Sequence, residues 1–294
     1  MDFSVIVPTR NRPAALRRCL EALAGQTWAA GQWEVIIVDD GGEPDLQPLL
    51  AGYAARMRVH LLRVPHGGPG PARNAGARAA QGRWLAFTDD DCEPEPGWLS
   101  ALAPRLAGRV GVMAGGTTVN GLKDNPRAEA SQLIAAAAYA YFNANPDQAR
   151  FFASNNLACE RAAFLHLGGF DERFRVASED RELVDRWVSR GYPAVRVPDA
   201  RVRHCHDLTL KKFLRQHFSY GRGAARFHQL RREQGRGRLL SDVSFRWSLG
   251  SLLLAPALRT RFPLRVLALL GLWQAANTAG FLYEHWRISR EATS

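Results

Sequence analysis

The sequence has little cysteine, and none of it is paired. Cys19, Cys92, Cys159 and Cys205 stand singly along 294 residues with no CxxC spacing, which excludes a disulfide framework and points to reduced thiols in a cytosolic setting. A secretory leader is also missing. Met1-Asp2-Phe3-Ser4-Val5 runs straight into a strand-like segment, without the basic start and ~7–15-residue apolar stretch that such a leader needs, so nothing here is expected to export the chain. Internal repeats and low-complexity stretches are absent, which sets aside solenoids and disordered tracts. Acid is scarce relative to base: 28 Asp plus Glu oppose 39 Lys plus Arg, a formal charge of +11. Such a surplus attracts nucleic acid, phosphorylated substrates or anionic lipid and does not choose among them.

What is present is an apolar body, 46% hydrophobic, enough for one large core or two closely joined ones. Phe3–Pro8 is short and β-branched and ends at a proline, as a buried strand stopping at a functional loop does. Pro13–Ala24 carries Leu16, Leu20 and Leu23 at helical spacing and opens on a proline, tolerated at a first helical position. Trp33–Val38 repeats the strand pattern and leads into Asp39-Asp40-Gly41-Gly42. Strand, helix, strand predicts a parallel sheet. A strand at Val59–Val64, a glycine- and proline-rich loop at Gly67–Pro71, a helix near Ala72–Ala80 and a strand at Trp84–Thr88 continue the alternation. Open α/β sheets bind ligands at the carboxyl ends of their strands, so Thr9, Asp39, Arg73 and Asp91 are expected around one crevice.

Beyond about residue 110 the alternation gives way to a helix at Ala128–Ala140, a loop at Phe151–Leu157, Gly168-Gly169-Phe170-Asp171 and a helix starting near Ser178. Lys211, Lys212, Arg215, Arg222, Arg226, Arg231, Arg232, Arg236 and Arg238 then face one acid, Glu233, which places a boundary around 225–240. Of two apolar runs in the tail, Trp247–Leu258 is too short to cross a bilayer. Val266–Tyr283 holds no charge and reaches roughly 27 Å as a helix, barely enough to span. Its Gln274, Asn277 and Thr278 form one polar stripe, which favours a helix lying in the interface or packed on protein.

Asp89-Asp90-Asp91 at a strand end is the most telling feature. Crowded carboxylates repel unless cations or hydrogen-bond donors compensate, and a divalent metal with phosphate oxygens does so. An isolated triplet would suit a solvated acidic turn equally well, but Asp39-Asp40 ends a neighbouring strand. Ser178-Glu179-Asp180-Arg181-Glu182 reads by itself as a capped helix start. Val202-Arg203-His204-Cys205-His206 offers imidazoles; no second Cys or His cluster supports a zinc site.

Val5-Ile6-Val7-Pro8-Thr9-Arg10-Asn11-Arg12, Glu34–Gly41, Pro71-Ala72-Arg73-Asn74-Ala75-Gly76, Phe87–Asp91 and Ser178-Glu179-Asp180 together resemble, in order and over roughly residues 3–220, the family 2 glycosyltransferases, whose catalytic domain has the GT-A fold. The resemblance implies an α/β architecture: a nucleotide-binding open sheet flanked by helices, with a basic and apolar helical extension at the C-terminus. It implies a nucleotide-sugar half at 1–110, an acceptor and catalytic-base half at 111–225 and a membrane-associated tail at 226–294. Pro8, Thr9, Arg12, Asp39 and Asp40 would line the nucleoside pocket, and Arg73 would sit near the diphosphate. Asp89 and Asp91 match the family's Asp-x-Asp and, with His204, are the implied ligands of Mg²⁺ or Mn²⁺, Asp91 the most direct, with Asp89 or Asp90 also nearer the ribose. Asp180 matches the base that deprotonates the acceptor, so a single displacement inverts the anomeric centre. Asn155-Asn156 and Gly168–Glu172 would shape the acceptor side. Arg215–Tyr220 stands where processive members carry Gln-x-x-Arg-Trp, which implies addition of one sugar at a time.

The implied partners are a nucleotide diphosphate sugar, a glycan or lipid-linked acceptor and an anionic membrane surface, with cell-envelope polysaccharide synthesis as the setting. The expected location is the cytoplasmic side of the membrane, peripheral or tail-anchored. A dehydrogenase is set aside because Gly68-Pro69-Gly70-Pro71-Ala72-Arg73 lacks the third glycine of G-x-G-x-x-G. A nucleotidyltransferase would want a glycine-rich, lysine-bearing loop after the first strand. Nucleic acid is not expected as a partner: the basic run abuts apolar segments, an order suited to lipid headgroups followed by acyl chains.

Overall fold

The computed structural model describes residues 1–236 and 239–291, the side chains of 239–247 excepted; Arg238, the last residue of the basic run, lies outside the described residues. The element order is β1 (Phe3–Thr9), α1 (Pro13–Ala24), β2 (Trp33–Asp40), α2 (Gln47–Ala51), β3 (Val59–Val64), α3 (Pro69–Ala79), β4 (Trp84–Phe87), β5 (Cys92–Pro94), α4 (Trp98–Leu106), β6 (Met113–Asn120), α5 (Pro126–Phe142), β7 (Leu157–Glu160), α6 (Arg161–His166), α7 (Glu179–Ser189), β8 (Ala194–His204), α8 (Leu210–Glu233), α9 (Leu239–Leu258) and α10 (Pro263–Glu291).

The eight strands form one mixed sheet in the order β3-β2-β1-β4-β7-β6-β8-β5. β3, β2, β1 and β4 run parallel, as the alternation requires, and β7 joins β4 antiparallel. β1 and β2 are buried along their whole length, because helices cover both faces; this is why they read as continuous β-branched runs. One core gathers Leu16, Leu20, Leu23, Trp98 and Leu102 beneath the sheet, and a second gathers Phe87, Phe164, Phe170 and Trp187 above it. Both indoles are paired, Trp98 donating to Asn156 Oδ1 at 2.9 Å and Trp187 to the Gly111 carbonyl at 2.9 Å.

Helix α3 lies close on the sheet at Gly76, where an added Cβ would come within 2.7 Å of Ile6 and 3.0 Å of Val38. Close approach by α3 aims Arg73 at the ends of the parallel strands. From β1 the chain runs outward to β2 and β3 and then crosses back to place β4 on the other side of β1, so the crevice opens at the switch point of the sheet.

Several elements differ from their sequence expectation. The strand read at Ala194–Val197 runs on to His204, because its second half pairs with β5 and with β6. The division at 225/226 falls inside the continuous helix α8. Of the polar stripe of α10, Asn277 packs on α8, its Nδ2 donating to the His217 carbonyl at 3.3 Å, whereas Gln274 is exposed.

Candidate active site

β1 delivers Thr9 to the crevice in register with Asp39 of β2. The hydroxyl of Thr9 donates to Asp90 Oδ2 at 2.7 Å, and Arg12 donates to the same oxygen through Nε at 3.1 Å and to Asp91 Oδ2 at 2.8 Å. A third contact joins Arg12 to Asp90 Oδ1. With its side chain fully buried, Asp90 is closed to a ribose; it fastens Thr9 and Arg12 to the acidic loop. Removal from water pushes its carboxyl up to about 7, against the pull of Arg12 and Thr9.

Asp91 faces the other way. Its Oδ1 lies 3.4 Å from His204 Nε2 at the end of β8, and the His206 ring stacks 5.0 Å from that of His204. Burial works against its charge, yet His204, Arg12 and His206 outweigh burial and hold Asp91 well below the usual carboxylate range. His204 is pushed up in turn: burial lowers it, and the Asp91 contact more than compensates. Cys92 is the third group near this point, with donor atoms of all three within 4.8 Å. Its thiol is fully buried and raised well above its ordinary range by that burial and by Asp89, so it offers no thiolate. One carboxylate and one imidazole with open positions suit an oxygen-seeking divalent cation that shares its shell with phosphate, and the residues fit Mn²⁺ or Mg²⁺ better than zinc.

Asp89 is held apart from that pair. Arg73 donates to Asp89 Oδ1 at 2.6 Å and to Glu179 Oε1 at 3.1 Å, with the Phe170 ring 5.5 Å from the guanidinium. Only 4% of the Arg73 side chain is exposed, so in this arrangement its charge serves two carboxylates. Arg73 is the tie between the acidic loop and α7. Arg12, 48% exposed, is the guanidinium that faces the open crevice.

Through that tie the acidic loop is joined to Glu179, the neighbour of Asp180. The residue before α7, Ser178, adopts a left-handed φ of 73° with no capping bond from its side chain, contrary to the simple cap reading. Asp180 accepts from its neighbour Arg181 N at 2.7 Å and from Ser154 N at 3.3 Å. Burial, and then repulsion from Glu179, push its carboxyl up to about 7. Gly223 of α8 lies against this entry, since an added Cβ there would meet the Ala177 carbonyl at 2.5 Å and Ser178 Oγ at 2.6 Å.

Asp39 and Asp40 shape loops. Asp39 Oδ1 accepts from Gly42 N at 2.9 Å. Asp40 accepts from Gly67 N at 2.7 Å and Gly68 N at 3.0 Å and contacts His66 Nδ1 at 2.8 Å, holding the loop before α3. Pro8 is buried in β1 beside Val38. Asn156 belongs to the core, bonded to Trp98 and to the Ala200 carbonyl. Asn74, unassigned by sequence reasoning, exchanges bonds with Phe170 N at 2.8 Å and Phe170 O at 2.9 Å and so pins the Gly168–Glu172 segment. Its place one residue after Arg73 is the signal that would have found it.

The solved mannosyltransferase PcManGT from Pyrobaculum calidifontis, in complex with GDP-Man and Mn²⁺, has a similar fold: TM-score 0.68 at 19% identity, covering 97% of this chain and 87% of that one. Staphylococcus aureus TarS, residues 1–349, superposes with a TM-score of 0.53 at 17% identity, covering 99% and 92%. The pre-mycofactocin glycosyltransferase of Mycobacterium tuberculosis is 29% identical over 230 residues, 76% of this chain and 47% of that protein. Validoxylamine A glucosyltransferase of Streptomyces hygroscopicus is 30% identical over 220 residues, 65% and 52%. The chain thus spans about half the length of these curated relatives. Residues 4–168 match the family model described as glycosyl transferase family 2. With the GT-A-like sheet and a crevice built at its switch point, that match over more than half of the sequence means that the chain belongs to glycosyl transferase family 2.

Proposed function

We propose that this glycosyltransferase is inverting, metal-assisted and non-processive, moving a sugar from a nucleoside diphosphate donor to a hydroxyl of a glycan or lipid-linked acceptor. The observation that carries this reading is the Arg73 bridge, which ties Asp89 of the acidic loop to Glu179, the residue next to Asp180. Asp91 and His204 would hold Mn²⁺ or Mg²⁺, which when bound supplies electrostatic stabilisation of the departing diphosphate. The PcManGT structure, which contains Mn²⁺, supports that choice. Thr9, Arg12 and the Asp39–Gly42 turn would frame the nucleoside, and Asp89, open on one side, would face the donor. Asp180 would take the proton of the acceptor hydroxyl as its oxygen bonds to the anomeric carbon. The bond from that carbon to the diphosphate oxygen breaks with its electron pair leaving on the nucleotide. Attack from the side opposite the leaving group inverts the centre.

Residues 1–110 would form the donor half and 111–225 the acceptor half, with the remaining helices meeting the cytoplasmic face of a membrane, in keeping with a part in cell-envelope glycan synthesis. Helix α10 is long and apolar enough to cross a bilayer by length and composition. No role in binding nucleic acid is expected.

A donor panel assayed with Mn²⁺ for nucleoside diphosphate release tests the reading. Wild type should turn over at least one donor, and Asp91→Ala should lose the metal-dependent rate. Asp180→Asn should still bind donor with turnover down roughly 10²-fold or more, the range for loss of a general base. Equal activity in all three proteins would refute the assignment.

A further inference from the structure

We infer that α8 and α10 together form a docking face for an anionic bilayer, on which α10 lies in the membrane plane instead of crossing it. This rests on the membrane association proposed above and specifies its geometry.

The inner side of α10 is committed to α8. Gly221 and Gly280 bring the two backbones together: a Cβ on Gly221 would lie 2.0 Å from the Asn277 carbonyl, and one on Gly280 would lie 2.0 Å from the Phe218 carbonyl. One turn further on, fully buried Glu284 accepts from Arg222 at 2.7 Å, Arg226 at 2.6 Å and Arg287 at 2.7 Å. A carboxylate with three guanidiniums is stable where the heads can reach water and costly in hydrocarbon. The far side of α8 lies against Ala177 and Ser178 at the start of α7, so a crossing α10 would drag α8 and the entry of the catalytic-base helix into the bilayer.

The outer side of α10 is apolar and uncovered. Leu264, Leu272, Ala275, Ala279, Leu282 and Trp286 are exposed, and their spacing puts them on one stripe of the helix. A groove of about 480 Å³ between this stripe and α8 is lined by apolar groups and by Arg215. Exposed cations border the face: Lys211, Lys212 and Arg215 on α8, Arg259 in the turn before α10 and Arg265 in its first turn, whereas Arg261 is paired with Asp124. Apolar stripe and cationic border match acyl chains under anionic headgroups. Since the start of α7 lies on the other face of α8, the Asp180 entry would sit on the side of the helix pair away from the lipid.

The test uses the full chain with vesicles of phosphatidylcholine, with and without phosphatidylglycerol. The protein should float with the anionic vesicles and be released by high salt or alkaline carbonate. Leu272→Glu and, separately, Arg215→Glu should lower the bound fraction roughly fivefold or more while leaving nucleotide release intact. Arg259→Cys, just before α10, and Glu291→Cys, at its last residue, should both react with an impermeant maleimide from outside, the four natural cysteines being buried. Association that resists carbonate, with one of these positions protected, would overturn the in-plane geometry and leave membrane association standing. No flotation, with Leu272→Glu converting a dimer to a monomer, would overturn both and assign the face to a second copy of the chain.

Discussion

At the residue scale, the proposed chemistry turns on two carboxyls that burial drives in the same direction and neighbours then separate. Asp91 keeps its charge because His204 and Arg12 face it, whereas Asp180 is lifted to about 7 by burial and by Glu179. A base must be ionised to accept a proton, so the transfer rate should fall along a one-proton limb as pH drops through about 7. A pH–rate profile of kcat checks this, and a flat profile from pH 5 to 8 would contradict it. The linkage to stability has a definite sign. An acid whose folded pKa lies above its unfolded value near 3.9 binds its proton more tightly when folded, so Asp180 destabilises progressively between about pH 4 and 7 and fully above. Asp180→Asn should therefore raise the unfolding free energy at pH 8 by on the order of 1–2 kcal/mol and change little at pH 4. Denaturant titrations at the two pH values measure it.

The place of Arg73 at the start of α3 was legible, but its pairing was not. Its position at the start of α3 fixes where the guanidinium begins, whereas its engagement by Asp89 and Glu179 depends on Glu179, 106 residues away in sequence. Replacing it with Lys leaves one point charge for two carboxylates. Arg73→Lys should cost about 1–3 kcal/mol and lower kcat more than the affinity for nucleotide, which kinetics and calorimetry on one preparation separate. The burial of Asp90 was equally hidden, because adjacent aspartates look alike in a triplet until Thr9 and Arg12 claim one of them.

At the element scale, the parallel half of the sheet was readable because period and punctuation agree: β1, β2 and β3 end where proline, aspartate or glycine interrupts the apolar run. The second half was less so. β7, with four residues, and β5, with three, are too short to impose a pattern and exist through their partners. The close seats at glycine are tertiary facts as well. Gly76→Val would put a branched side chain where even a Cβ meets Ile6 at 2.7 Å, and should lower stability by roughly 1–3 kcal/mol or more. Gly280→Leu should unseat α10 from α8. Thermal unfolding of both variants tests the packing, and an unchanged Tm in either would contradict it.

At the scale of the whole molecule, one sheet carries the loops proposed to bind the donor at its parallel strands, α7 carries the proposed base, and α8 joins the start of α7 to the exposed face of α10. The formal charge of +11 acquires a place in this arrangement: part of it borders that face, while Arg12, Arg73, Arg222 and Arg226 are paired with acids. The central claim is that the acidic loop and Asp180 serve one donor site in separable roles. Calorimetric titration of UDP and of GDP with Mn²⁺ into wild type, Asp91→Ala and Asp180→Asn tests it most directly. Binding of at least one nucleotide should be strong in wild type, retained within about threefold in Asp180→Asn and reduced by roughly 10²-fold in Asp91→Ala, the scale of a lost metal ligand. Undiminished binding by Asp91→Ala, or its loss in Asp180→Asn with the fold intact, would contradict the account.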